Sequence, residues 1–159
     1  MNKHVLYLAL GSNLGNSVHN IKAAYAEIEK RIGEITAQSA FYVTIAEGFD
    51  SENYFLNTVC RLTTSLEPYQ VLDITEVIER ELGRTEKSSD KKYVDRLIDI
   101  DLLMHGDLIL KTKRLTIPHP RMHERDFVLR PFASIDPNVV HPVLNKSIML
   151  LQKELHQSG

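Results

Sequence analysis

Residues 96–103 read Arg96-Leu97-Ile98-Asp99-Ile100-Asp101-Leu102-Leu103, and this stretch is the most informative part of the sequence. Apolar and acidic residues alternate in it, and successive side chains of a β-strand point to opposite faces of the sheet. We therefore predict a strand over residues 96–104 whose apolar face joins the core. Asp99 and Asp101 then project together from the other face.

The two aspartates are unusual in a strand, because aspartate is a poor strand former. Two like charges about 7 Å apart repel by roughly 2 kcal/mol at an effective dielectric of 20. A divalent cation between them would turn that repulsion into attraction, and oxygen-only ligands favour magnesium over zinc. The pair predicts a magnesium site. The alternative is a solvated strand face that is acidic without binding a metal.

On either side of this strand in the sequence, hydrophobic periodicity and turn residues predict the other helices and strands. The predicted strands are Val5–Leu10, Glu34–Tyr42 and Tyr54–Thr64, and the predicted helices are Ser17–Ile32, a helix from Pro68 that ends at Gly83, and Ser147–His156. The remaining predicted pieces form a C-terminal hairpin and helix extension: a hairpin around 105–107 leading to 108–110, an extended segment at 113–118, and short helices or turns at 120–125 and 130–135. Residues 43–52 and 84–95 are predicted loops.

The resulting order, β-α-β-β-α-β followed by smaller elements, is the split βαβ pattern. It favours an α+β fold with an antiparallel sheet and two helices on one face. The 159 residues suffice for one domain, which we expect to span the whole chain.

Composition narrows the classes of function. The chain is 43% hydrophobic and 25% charged with a net charge of −2, so it has no overall basic field for nucleic acid or an anionic membrane. Its one cysteine, Cys60, cannot form an internal disulfide and is expected to be a buried, inert thiol in a reducing compartment. The apolar run Val5–Leu10 is too short for a membrane span. We expect a cytoplasmic protein, and nothing in the sequence requires an oligomer.

Cations lie on both sides of the acidic strand in the sequence, as phosphate chemistry at a magnesium site would require. They are Arg84, Lys87, Lys91, Lys92, Arg96, Arg114, His119, Arg121 and Arg125. The planar guanidinium group suits polyphosphate because it donates two hydrogen bonds at once. Residues 11–16 lack the Gly-Lys-Ser/Thr ending of a Walker A loop, so side chains and metal would hold the phosphates. Taken singly, each cation is more typical of a solvated surface residue, and it is their concentration around one acidic strand that favours a phosphate site.

His119 and His123 raise a different possibility. They are four residues apart, a spacing found in zinc sites. However, Pro118 and Pro120 disfavour a helix through His119. A zinc hydrolase using both histidines and an aspartate is therefore the minor hypothesis. Contact between His119 and phosphate, with His123 on a surface helix, is the favoured one.

Four motifs, in this order, resemble the hydroxymethyl-dihydropterin pyrophosphokinase family. They are Gly11-Ser12-Asn13-Leu14, Phe55-Leu56-Asn57, Asp95-Arg96-Leu97-Ile98-Asp99-Ile100-Asp101 and Arg114-Leu115-Thr116-Ile117-Pro118-His119. The resemblance spans nearly the whole chain. It implies a ferredoxin-like fold with a groove across the sheet, and ATP, two Mg²⁺ ions and 6-hydroxymethyl-7,8-dihydropterin as ligands. It also implies transfer of pyrophosphate from ATP to the pterin hydroxyl, with release of AMP.

The resemblance also implies a role for individual residues. Asp99 and Asp101 would bind the metal ions and act in catalysis together with Arg84 and Arg96. The implied ATP contacts are Glu79, Arg84, Arg96, Leu102, Arg114, Thr116, His119 and Arg125. The implied pterin pocket consists of Thr44, Phe55, Asn57 and Phe127.

Some positions depart from the family's pattern. Val94-Asp95 stands where many members have Gly-Pro, Tyr93 where others have tryptophan, and Glu86 where an arginine is expected. These departures fall in the predicted loop over residues 84–95, and Asp95 places a third carboxylate near the acidic pair. A non-catalytic nucleotide-binding module is the second hypothesis, since it would explain the fold and some of the arginines.

Overall fold

A five-stranded antiparallel sheet runs through the computed structural model, which describes residues 2–45, 54–83 and 97–158. The strands are β1 His4–Ser12, β2 Glu34–Gln38, β3 Tyr42–Ile45, β4 Tyr54–Thr64, β5 Asp99–His105, β6 Leu110–Lys111 and β7 Thr116–Ile117. The helices are α1 Ser17–Arg31, α2 Pro68–Gly83, α3 Asp126–Ile135 and α4 Ile148–Ser158, with a 3₁₀ turn over Met122–Glu124. The sheet order is β2-β4-β1-β5, and β3 pairs with β4 beyond β2. The predicted α+β, ferredoxin-like arrangement is confirmed.

The first face of the sheet packs against α1 and α2. Alternate residues of β1, Leu6, Leu8 and Leu10, are fully or almost fully buried there. Cys60 on β4 belongs to the same cluster, and burial raises the pKa of its thiol to about 12. The prediction of a buried thiol is confirmed, and such a thiol is a poor nucleophile because little thiolate forms.

The second face is covered at one end by α3 and α4. Phe132 of α3 is fully buried and stacks on Tyr7 of β1 with ring centroids 4.5 Å apart. The Tyr7 hydroxyl donates a hydrogen bond to Asp136, and Arg61 donates to both carboxylate oxygens of Asp136 at 2.9 and 2.8 Å. These contacts fix the end of α3 to the two central strands.

A β-bulge in β5 explains why Leu102, Leu103 and Met104 are all buried. Tyr7 pairs with Met104, whereas the next residue of β1, Leu8, pairs with Leu102. Leu103 is therefore the extra residue. Leu102 packs on the first face, while Leu103 and Met104 both pack on the second.

The strand predicted over Glu34–Tyr42 is wrong in its extent, because two strands, β2 and β3, occupy this part of the chain. From Gln38 to Tyr42 the chain advances four residues, while their partners on β4 run only three, from Cys60 to Asn57. The surplus residue lies around Ser39, whose hydroxyl accepts a hydrogen bond from Val59 N at 3.0 Å. Residues 43–45, predicted as loop, belong to β3.

Other predicted boundaries also need correction. β1 continues to Ser12 because Gly11 and Ser12, predicted as a turn, pair with β4. β5 spans Asp99–His105, and Arg96, where the predicted strand begins, lies outside the described residues. The turn at 105–107 does not return as a strand beside β5, since β6 pairs with β7. The helix predicted over 130–135 begins at Asp126, and the 120–125 segment contains only the 3₁₀ turn.

Two predicted loops lie partly or wholly outside the described residues. Of the loop predicted over 43–52, residues 46–52 are outside, and the loop predicted over 84–95 is outside entirely, with Glu86, Tyr93 and Asp95. Within the part of the chain that the structure describes, no helix has both the length and the apolar character needed to cross a bilayer.

Candidate active site

The end of the second face that lies beyond the apolar cluster under α3 and α4 carries polar side chains. Strand register aligns Gly11 with Asn57 on one side and with Asp99 on the other. Because paired residues share a face, this row lies on the same face as Tyr7 and Val59, beyond the cover of α3 and α4. The row joins a predicted pterin residue to a predicted metal ligand across three strands. We call this end of the face the open half, defined by Asn57, Gly11, Asp99 and Asp101.

The acidic pair lies as predicted, with Asp99 and Asp101 on the face opposite the buried Ile100. Asp101 is 35% exposed, and its Oδ2 is 4.0 Å from Nη1 of Arg125. The Arg125 guanidinium also lies 5.5 Å from the ring centroid of Phe127. Arg125 therefore links a predicted metal ligand to a predicted pterin residue.

Glu79 supports the acidic strand from outside the sheet. Its Oε2 accepts a hydrogen bond from the backbone N–H of Ile100 at 2.7 Å. Ile100 lies between the two aspartates, and β5 is the last strand on that side of the sheet. The carboxylate of Glu79 thus satisfies an outward-pointing amide of an edge strand.

His119 is brought next to the same strand. Its backbone N–H donates to Leu103 O at 2.9 Å, and its Nδ1 accepts the N–H of Arg121 at 3.1 Å. Burial, assisted by the positive charges of Arg125 and Arg121, lowers the pKa of His119 to about 4, although Asp99 acts in the opposite direction. The ring is neutral at pH 7. Since Nδ1 accepts, Nε2 carries the proton and is a hydrogen-bond donor.

A cleft of about 240 Å³ extends from the acidic strand toward β7. It is lined by Leu72, Ile100, Asp101, Leu102, Lys113, Arg114, Leu115, Thr116, His119 and Pro120. Four of the predicted nucleotide residues are in this set: Leu102, Arg114, Thr116 and His119. The guanidinium of Arg114 pairs with Asp73, lies 3.7 Å from Glu76, and lies 5.5 Å from the ring centroid of Tyr69. These contacts hold Arg114 at the wall of the cleft.

The side-chain amide of Asn57 is fixed by its neighbours. Its Nδ2 donates to Thr44 Oγ1 at 3.1 Å and lies 3.5 Å from the carbonyl oxygens of Tyr42 and Phe55. Because carbonyl oxygens only accept, the NH₂ group faces β3 and the amide oxygen faces the opposite way, toward Gly11. Thr44 and Phe55 pair with each other on the same face as Asn57.

The structure gathers most of the predicted site residues around the open half. Arg84 and Arg96 lie outside the described residues. Sequence reasoning did not single out Gly11 as a site residue or Lys113 as a cleft residue. A glycine inside an apolar strand is a signal for close approach of a ligand or another chain, but the motif around Gly11 was interpreted as a turn.

The zinc hypothesis receives no support from the described parts of the chain. Over residues 2–45, 54–83 and 97–158, no group of three histidine, cysteine, aspartate or glutamate side chains is arranged to hold a metal ion. His123 lies in the 3₁₀ turn, with its side chain 35% exposed and its ring centroid 6.4 Å from that of His141. The expected surface helix is this single turn.

Comparison with known proteins decides the family. A profile of the family described as 7,8-dihydro-6-hydroxymethylpterin-pyrophosphokinase (HPPK) matches residues 7–137. The chain belongs to this family. The resemblance stated from the four motifs is thus confirmed, and the matched range includes every predicted site residue.

Named relatives agree over most of the chain. A 2-amino-4-hydroxy-6-hydroxymethyldihydropteridine pyrophosphokinase from Porphyromonas gingivalis is 44% identical over 139 residues, which cover 87% of this chain and 94% of the relative. The enzyme of the same name from Aquifex aeolicus is 38% identical over 149 residues, covering 94% and 91%. A crystal structure of Plasmodium falciparum HPPK-DHPS superposes with a TM-score of 0.78 at 18% identity. The match covers 96% of this chain and 45% of that one, and it shows that the fold is shared.

Proposed function

We propose that the open half binds ATP with magnesium at one end and the pterin at the other, and that pyrophosphate is transferred between them. Membership of the HPPK family makes the chain a pyrophosphokinase of folate biosynthesis. The observation that carries the residue-level proposal is the row Asn57–Gly11–Asp99. It joins an amide suited to the edge of a pterin ring to a carboxylate pair suited to a metal ion.

Asp99 and Asp101 are proposed to hold two Mg²⁺ ions together with ATP. Both are oxygen donors on one strand face, and hard oxygen ligands are what Mg²⁺ prefers. Magnesium usually keeps several waters and takes one or two carboxylates plus substrate phosphates, so a two-carboxylate set fits it. When bound, the ions would neutralise phosphate charge and orient the transferred group.

The pterin hydroxyl oxygen is proposed to attack the β-phosphorus of ATP. A new O–P bond forms, the bond from the β-phosphorus to the α,β-bridging oxygen breaks, and AMP leaves with that oxygen. The hydroxyl proton passes to solvent, because a loose transition state needs little help from a base. Charge develops on the bridging oxygen and the α-phosphate, where cations stabilise it. Arg125 and the predicted Arg84 and Arg96 are assigned this role.

The neutral ring of His119 is proposed to donate its Nε2–H to a phosphate oxygen. Leu102, Arg114 and Thr116 line the same cleft and are proposed as further ATP contacts. Glu79, also implied as an ATP contact, lies on the outer side of β5. At the other end, Asn57 and Thr44 would bind the edge of the pterin, and Phe55 and Phe127 its faces.

Three broader proposals complete this assignment. Residues 1–159 act as one pyrophosphokinase domain, the protein works as a monomer, and it works in the cytoplasm. The rival, a nucleotide-binding module without turnover, would need neither the acidic pair nor the amide pocket.

The deciding experiment measures AMP release from ATP and magnesium, with and without 6-hydroxymethyl-7,8-dihydropterin. AMP that forms only with the pterin present is the expected result. Release of ADP, or no nucleotide product in the presence of the pterin, would overturn the proposal in favour of the binding module. Omitting magnesium is the control for the metal, and its omission should abolish AMP release.

A further inference from the structure

Gly11 occupies the centre of the open half without contributing a side chain. It is paired with Asn57 of β4 and with Asp99 of β5, so it separates the proposed pterin end from the proposed metal end. On the same face of β1, the next residue toward the helices is Ala9, and Tyr7 follows it beneath them. Glycine weakens a strand interior, and its presence there often marks a close approach by a ligand.

A side chain at Gly11 would press on the Asn57 amide. A Cβ atom built there lies 3.3 Å from Asn57 Oδ1 and 3.7 Å from Leu56 O. A Cβ at 3.3 Å requires Oδ1 to move by a few tenths of an ångström. The hydrogen bond from Nδ2 of the same amide to Thr44 Oγ1, at 3.1 Å, opposes that movement. The bare backbone of Gly11 is therefore what lets Asn57 present its oxygen to the centre of the sheet.

The spacing of the strands suggests what passes over Gly11. Neighbouring strands lie about 4.8 Å apart, so the backbones of Asn57 and Asp99 are about 10 Å apart across Gly11. A bicyclic ring with a one-carbon arm is of similar length. A ring held by Asn57 would have its arm above Gly11 and its hydroxyl near the acidic pair.

We propose that Gly11 is a specificity-determining residue for the pterin: its bare backbone is the floor under the hydroxymethyl arm, and it keeps the Asn57 oxygen free to accept an N–H of the ring. This inference rests on the proposed function and deepens it. A methyl group at position 11 should therefore weaken binding of the pterin but not binding of ATP, whose proposed cleft is lined by Asp101 and by residues 113–116.

The test compares Gly11→Ala, Asn57→Ala and the double variant with the wild type. Pterin binding is measured by the fluorescence of 6-hydroxymethylpterin in the presence of magnesium and α,β-methylene ATP. In that analogue the bond that must break is blocked. Binding of the analogue alone is measured by calorimetry. We expect Gly11→Ala to weaken pterin binding by about 10-fold or more, as for loss of one buried hydrogen bond, and to change analogue binding less than about 2-fold.

The double variant tests whether Gly11 acts through Asn57. In the Asn57→Ala background, Gly11→Ala should add only about 2- to 3-fold to the loss of pterin affinity, because the contact with Oδ1 is gone and only the contact with the hydroxymethyl arm remains. A further 10-fold loss there would overturn the role of Asn57. Equal weakening of both ligands by Gly11→Ala, or of neither, would overturn the selectivity. Should Gly11→Ala alone not fold, Asn57→Ala is compared with the double variant, in which the close contact with Oδ1 is absent: similar pterin affinity supports the role of Asn57, and a further 10-fold loss overturns it.

Gly83→Ala is the matched control, since among the described residues a Cβ there meets Leu97 Cβ alone, at an ordinary 3.8 Å. It should bind both ligands like the wild type. The proposed function is judged separately, by AMP release from the wild type. Without that release the function fails, whereas normal release by both the wild type and Gly11→Ala, with unchanged pterin affinity, sinks only the role of Gly11.

Discussion

The same three strands form two very different halves of one sheet face. Under α3 and α4 they contribute Tyr7, Val59 and Leu103, which are buried in an apolar cluster. A few residues further along they contribute Gly11, Asn57 and Asp99 to the open half. We call the first region the covered half. Packing of α3 and α4 on one part of a continuous face makes that part contribute stability, while the remaining part is available for ligands.

The largest effect should follow from changing the open half at its charges. We expect Asp99→Asn and Asp101→Asn each to lower kcat by about 10³-fold, since loss of metal-based charge stabilisation costs several kcal/mol. Their melting temperatures should stay near that of the wild type, because removing one of two like charges relieves repulsion. AMP release and thermal unfolding measured on the same samples provide the check. Near-normal turnover in either variant would contradict the assignment of the aspartates as metal ligands and of the open half as the site of catalysis.

The covered half should respond in the opposite way. Phe132→Ala removes a fully buried ring stacked on Tyr7 and should cost about 3–5 kcal/mol of unfolding free energy. Turnover per folded molecule should change little at a temperature where the variant is still folded. Urea unfolding and active-site titration separate the two quantities. A fall in turnover comparable with that of the aspartate variants would show that the two halves are not independent.

A smaller effect is expected at the boundary of the open half, where Glu79 accepts the N–H of Ile100. Glu79→Ala should weaken apparent magnesium affinity or turnover by about 10-fold, as for loss of a group that orients metal ligands. Glu79→Gln keeps an accepting oxygen and should retain most of the activity. Hydrogen exchange at the Ile100 amide should speed up only in the alanine variant. The control is Glu81→Gln. Glu81 lies on α2, as Glu79 does, and its carboxylate pairs with Arg31 of α1.

The smallest expected effect concerns pH and stability. The folded pKa of His119, about 4, lies below its ordinary value of 6.5. The unfolded chain therefore takes up a proton first as the pH falls, and folding stability should drop between about pH 7 and pH 4. His119→Gln should lose less stability over that interval, as measured by urea unfolding at several pH values. His141, whose pKa is lowered by burial and by His123, keeps some of the slope in the variant.

Sequence reasoning reached the fold because alternation in residues 96–103 and the helical stripes follow directly from burial on one face. It also anticipated the positions of Asp99 and Asp101, since period-two geometry places them together whatever the tertiary structure. The break at Ser39 and the bulge at Leu103 were not predictable. Both depend on which residue of a partner strand each one meets, and a single sequence does not state that register.

The role of Gly11 was missed for a related reason. Locally, Gly-Ser-Asn is turn chemistry, and only pairing with β4 and β5 keeps Gly11 in a strand. The resemblance to the family implied which residues share the pterin pocket with Asn57, but not the direction of its side-chain amide. That direction follows from the hydrogen bond to Thr44. Tertiary contacts, and not residue types, determine this part of the site.

Both edges of the five-stranded sheet are protected against recruiting a strand from another copy. On one side the surplus residue near Ser39 interrupts β2 and β3, so the edge cannot act as one long template. On the other, Ile100 N–H is taken by Glu79 and Leu103 O by His119 N–H. The side chain and backbone segment beside the acidic strand thus also guard against edge-to-edge aggregation. A cell that makes this protein at high concentration would benefit from that protection independently of catalysis.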